Sequence, residues 1–168
     1  MGIPNRAAEF LADLGGMTLA LPVLAAALAY AAWRARREEE PRWWAAPLTA
    51  ALAMLAVPLL VVPLKALFDR QGPPGMGGHG GFYPSGHSAT ATVAYGAAVL
   101  LLAPYVRSAY LRRELLIGGA LLVAAVGAGL VRRGYHWPLD VVASWALGGM
   151  LLIGAVTGAR YLRRSTEE

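Results

Sequence analysis

The chain has 168 residues, 57% hydrophobic and only 15% charged, with a mean hydropathy of +0.49. That is one domain's length, and it is too apolar for a soluble domain of this size. The net charge of +5 comes almost wholly from arginine, with Lys65 the only lysine, and the lack of cysteine excludes disulfides, thiolate metal sites and cysteine nucleophiles.

Several apolar runs reach the roughly 17 to 25 residues needed to cross a bilayer. The expected fold is all-α, an integral membrane bundle of about five transmembrane helices forming a single membrane-embedded domain over residues 1–168. The first run, residues 10–33, has Asp13 near its start and ends in Arg34, Arg36 and Arg37 before Pro41. It is too long for the h-region of a cleaved signal and is expected to stay as an anchor. Trp43 and Trp44 open the second helix as interfacial anchors, and it runs to about residue 64. Pro47, Pro58 and Pro63 inside it imply kinks, which a bundle tolerates where neighbours satisfy the freed carbonyls. A loop rich in glycine follows, from 71 to 81, in which His79 has no partner at ligand spacing and reads as solvent-exposed. Helix three is expected over 85–106, helix four over 115–131 and helix five over 138–161.

Charge orients this bundle. Ten of the fifteen basic residues (Arg34, Arg36, Arg37, Arg42, Arg107, Arg112, Arg113, Arg160, Arg163 and Arg164) fall at one end, which the positive-inside rule makes cytoplasmic. The same rule explains a pI near 10 without a nucleic-acid partner. The opposite end, expected to face the extracytoplasmic side, keeps Arg6, Lys65, Arg70, Arg132, Arg133 and all three histidines.

Chemistry concentrates at that second end. In Tyr83-Pro84-Ser85-Gly86-His87-Ser88, Pro84 stands just outside a new helix and Ser85 reads as its N-cap. The N–H groups of Gly86, His87 and Ser88 then point out of the helix start, where the dipole favours an anion and phosphate fits best. A histidine in that first turn can exchange a proton with whatever the site holds. His136 and Asp140 lie four apart at the head of helix five, so the carboxylate can take one ring N–H and leave the other nitrogen facing the loop. Alone, that pair would equally serve as an ion pair at a helix N-terminus. Lys65, Arg70, Arg132 and Arg133, taken singly, read as snorkelling side chains. No close-spaced ligand set points to a metal, and no cofactor is expected.

Together the three segments resemble the type 2 phosphatidic acid phosphatase superfamily, the membrane relatives of vanadium haloperoxidases. Its first motif is Lys, six residues, then Arg-Pro. Lys65 and Pro73 match, but Gly72 stands at the Arg position, with Arg70 two residues early. The second motif, Pro-Ser-Gly-His, is matched by Pro84, Ser85, Gly86 and His87. The third is Ser-Arg, five residues, His, three residues, Asp. His136 and Asp140 match, while Gly129 and Leu130 replace Ser-Arg, with Arg132 and Arg133 downstream. Members commonly have six helices, so the resemblance implies one helix fewer before the first motif and an N-terminus on the outer side.

The resemblance implies a catalytic trio in which His136 attacks phosphorus to form a phosphohistidine, Asp140 holds its ring and His87 protonates the leaving oxygen. Lys65, Ser85, Gly86 and arginines would bind phosphate, with Arg70 and either Arg132 or Arg133 standing in for the displaced residues. Arg133 is favoured because it lies nearly one helical turn beyond Leu130. A metal-independent phosphatase acting on a polyprenyl phosphate or diphosphate, a phosphatidylglycerol phosphate or a phosphatidic acid follows. The bilayer and a lipid phosphate are its expected partners, and nothing in the sequence indicates an oligomer. The rival is a non-catalytic binder or carrier of lipid phosphates on the same fold, against which the two histidines and Asp140 argue. A small transporter lacks both internal repeats and charges deep in a helix.

Overall fold

The computed structural model describes residues 4–76 and 80–164, so the expectation for His79 lies outside the described residues. The described residues form six α-helices: α1 (Asn5–Asp13), α2 (Met17–Arg37), α3 (Ala45–Phe68), α4 (Gly86–Leu102), α5 (Ala109–Arg132) and α6 (Pro138–Arg164). A short 3-10 turn, Ala103–Tyr105, finishes α4. α2 to α6 are long and apolar enough to cross a membrane, which makes this a multi-pass membrane protein.

α4 is the hub and packs against α2, α3, α5 and α6. Over half of its span is buried, against about a quarter for each other span. Its sequence explains why: Ala89, Ala91, Ala94, Ala97 and Ala98 let neighbours approach from several sides. Glycines on both sides bring α4 and α6 close: a Cβ at Gly96 would stand 2.5 Å from Leu152 Cδ1, and one at Gly148 2.6 Å from Thr92 Cγ2. The other spans turn large apolar side chains outward, among them Leu55, Leu59, Leu121 and Ile153. Those faces meet lipid, where burial against protein gains little.

The single helix expected over 10–33 is two helices. The chain turns at Leu14-Gly15-Gly16, so α1 leaves the line of α2 and lies against α5, while α2 packs on α4. Asn5, Glu9 and Asp13 repeat at four-residue spacing on one face of α1, and Ala8 and Ala12 are buried on another. That is the pattern of a helix lying at an interface. Gly129 on α5 admits it: a Cβ there would meet Ala8 O at 2.7 Å and Ala12 N at 2.8 Å. α3 runs unbroken through Pro58 and Pro63. Pro47 falls in its first turn, where the missing N–H has no intrahelical acceptor in any case.

Candidate active site

The helix start at Ser85 forms as its residue types dictate. Ser85 has extended backbone geometry, and its Oγ accepts from Ser88 N–H at 3.3 Å. One of the three expected free donors is therefore used by the cap. The N–H groups of Gly86 and His87 remain without intrahelical acceptors, at the positive end of the α4 dipole.

α6 begins beside it and is locked to it. Asp140 sits in the first turn of α6, fully buried. Its Oδ2 reaches back to the N–H of Trp137 at 3.0 Å, the backbone half of a capping box. The same oxygen lies 3.4 Å from His136 Nδ1, so the expected carboxylate–histidine pair is formed. The carbonyl of Asp140 accepts from Ser85 N–H at 3.2 Å. Ser144, one turn on and fully buried, donates its hydroxyl towards both Asp140 O at 2.7 Å and Ser85 O at 2.9 Å. The two helix starts thus share hydrogen bonds, which fixes the nucleophile candidate relative to the anion cradle.

Lys65, near the end of α3, donates to Gly81 O at 2.6 Å and so straps the glycine-rich loop down beside the site. Arg70 comes from the same loop, and its Nη1 bonds Asp140 Oδ1 at 2.9 Å. Asp140 is fully buried and Arg70 about a third exposed, so the pair lies between two regimes. An exposed ion pair contributes about 0–1 kcal/mol, whereas stripping one partner from a buried pair costs about 3–5 kcal/mol. Phe82 stacks edge-on to the His136 ring, 5.9 Å between centroids.

His87, His136, Asp13, Tyr135, Phe82, Met76, Ala12 and Leu130 line one cavity of about 300 Å³. The side chain of His136 is only 11% exposed there. Burial pushes its pKa below the ordinary 6.5; the hydrogen bond and charge of Asp140 oppose that, and the charges of Lys65 and His87 add to it. The net direction keeps the ring neutral near pH 7, the form that can attack. Among the described residues no three His, Cys, Asp or Glu side chains are grouped closely enough to hold a metal ion.

A sequence model of the PAP2 superfamily matches residues 46–164, from the start of α3 to the end of α6. The chain belongs to the PAP2 superfamily. No curated protein and no solved structure matches it. Members of the PAP2 superfamily are generally phosphatases, and the matched region holds every residue gathered around His136 except those of α1.

Of the residues singled out from the sequence, Lys65, Arg70, Ser85, Gly86, His87, His136 and Asp140 come together at this end of the PAP2 bundle. Arg133 turns elsewhere. Its Nε bonds Glu9 on α1, its guanidinium lies over the Tyr135 ring, and Tyr135 Oη donates to Glu9 Oε1 at 2.7 Å. Arg132 is exposed at the end of α5. The two positions where the third motif departs are explained by α1: Gly129 gives it room, and Leu130 is buried beneath it as a wall of the cavity. Phe82 and Ser144 were missed from sequence. Ser144 had a signal, standing four residues after Asp140 on the same helix face; Phe82 had none beyond its closeness to Pro84.

Proposed function

We propose that this PAP2 chain is a lipid phosphatase that splits a phosphate ester through a phosphohistidine on His136. The observation that carries this reading is the position of His87, which lines two cavities at once. One is the polar cavity that holds His136. The other is an apolar groove of about 360 Å³ between α2 and α3, walled by Leu21, Met54, Val57, Pro58 and Val61 and headed by Lys65 and Gly86. From Lys65 to Met54 the groove descends about 16 Å at helical rise, roughly one leaflet of a 30 Å hydrocarbon core. A phosphate in the polar cavity with its alkyl chain in the groove has its ester oxygen beside His87, where a proton is needed.

In this mechanism neutral His136 attacks phosphorus in line with the leaving oxygen, while Asp140 holds Nδ1–H and stabilises the imidazolium that forms. His87 gives its proton to the departing alcohol, then takes one from the water that releases phosphate. Lys65 and the N–H groups of Gly86 and His87 face the charge that spreads onto the equatorial oxygens. The ten-to-five split of basic residues supports an extracytoplasmic site and a cytoplasmic C-terminus, so a reporter fused after Glu168 should read cytoplasmic.

The test is phosphate release by the purified chain from short-chain phosphatidic acid, phosphatidylglycerol phosphate and polyprenyl phosphates, with EDTA present throughout. Turnover of at least one lipid, inhibited by vanadate and abolished in His136→Ala, is expected. Full activity in His136→Ala would overturn the mechanism. Tight binding of every lipid without phosphate release would support the carrier reading instead.

A further inference from the structure

Arg70 occupies the place in the loop after α3 where a phosphate ligand is expected, yet its guanidinium is bonded to Asp140. Three contacts preset it there. Phe82 N–H donates to Arg70 O at 3.1 Å, and the Trp137 indole donates to Gln71 O at 3.2 Å, so the backbone is held on both sides of the site. The side chain then meets Asp140 Oδ1 at 2.9 Å. The carboxylate is divided: Oδ1 goes to Arg70, and Oδ2 goes to Trp137 N–H and His136 Nδ1. A buried carboxylate on a rotatable Cβ–Cγ bond needs both oxygens anchored to hold one orientation. Ser144 and Ser85 anchor only its backbone carbonyl.

We propose that Arg70 is a positioning residue, which fixes the Asp140 carboxylate so that Oδ2 alone is presented to His136, and is not a ligand of the phosphoryl group. This rests on His136 being the group that meets phosphorus. The charged and titratable groups around His136 are Asp140 on α6, Lys65 on α3, His87 on α4, Asp13 on α1, Tyr135 beside it in the turn before α6, and Arg70 itself from the loop after α3. Arg70 is the one of these bonded to the carboxylate that orients the ring. Its cation offsets the pull of Asp140 on a proton at His136. Without it, the pair takes up that proton at higher pH.

The experiment follows the histidine ring signals by NMR in the full chain carrying nitrogen-15 histidine, in detergent micelles, and measures binding of inorganic orthovanadate at about pH 8, where the ring is neutral. In Arg70→Gln the His136 midpoint should rise by about one pH unit, while orthovanadate affinity changes less than about threefold. Arg70→Lys, which keeps the charge, should return the midpoint towards the wild type. In an Asp140→Asn background, Arg70→Gln should move the midpoint less than about a third as far, since coupled residues are non-additive. A fall of about a hundredfold in orthovanadate affinity in Arg70→Gln, the size of a lost oxyanion donor, would overturn the proposal. So would an unmoved midpoint. If Arg70→Gln does not fold, the double variant Arg70→Gln/Asp140→Asn strands no charge. Its orthovanadate affinity against Asp140→Asn alone then decides: equal supports positioning, a hundredfold loss overturns it. Because the titration needs no turnover, a wild-type chain that releases no phosphate would sink the phosphatase reading and leave this test standing.

Discussion

Two loops close the same end of the bundle, and each carries an arginine displaced from its motif position. Arg70 stands two residues before Gly72 and Arg133 three after Leu130. By spacing and reach they look alike. In the structure Arg70 bonds the buried Asp140, whereas Arg133 bonds Glu9 on α1 and lies over Tyr135. What separates them is which carboxylate lies within reach, not distance along the chain. Each guanidinium settles on one oxygen of a carboxylate whose other oxygen is already bonded elsewhere. α1 brings one to Arg133, and the head of α6 brings one to Arg70.

Substitutions can break or sharpen that contrast. The largest effect is expected at the shared partner: Asp140→Asn should lower kcat by about 10⁴-fold, as loss of the orienting carboxylate does in other histidine triads, measured as phosphate release. Arg70→Gln, which frees the carboxylate that orients His136, should lower kcat at neutral pH by about ten- to a hundredfold, with KM little changed. The wild-type enzyme sharpens the comparison through pH. Since burial holds His136 below 6.5, the acid limb of kcat/KM should fall below that value, and activity should fade as the pH drops through the lowered pKa. Folded His136 also binds its proton more weakly than the unfolded chain. Its contribution to stability is therefore complete above pH 6.5 and shrinks as pH falls below it. The smallest effects belong to the other loop. Arg133→Ala and Glu9→Gln should each leave turnover within about threefold, and the double variant should lower the melting temperature by less than the sum of the two, because both remove the same Arg133–Glu9 pair. A hundredfold loss in Arg133→Ala would erase the distinction between the two loops.

The sequence made the spans legible because each is a long apolar run closed by arginines or proline, and the heads of α4 and α6 legible because Ser85 and the His136–Asp140 pair are local patterns. The break at Leu14-Gly15-Gly16 was hidden, since glycine and leucine do not interrupt an apolar run and Asp13 reads only as lying near its start. The signal lay upstream, in the four-residue spacing of Asn5, Glu9 and Asp13. The partner of Arg133 was hidden for a second reason: it lies 124 residues away, and only the seat that Gly129 offers to α1 brings it near.

The meeting of a polar cavity and an apolar groove at His87 has a consequence for what happens after the bond is cut. The two fragments would part into different phases, the phosphate into water and the dephosphorylated lipid sideways into the bilayer. Below its head of Lys65, Gly86, His87 and Thr90 the groove is walled by apolar side chains, which suits the lipid and offers the phosphate no partner. Re-encounter of both products in one site would therefore be rare, and the direction of the reaction would be set by partitioning as much as by the chemistry of the ester.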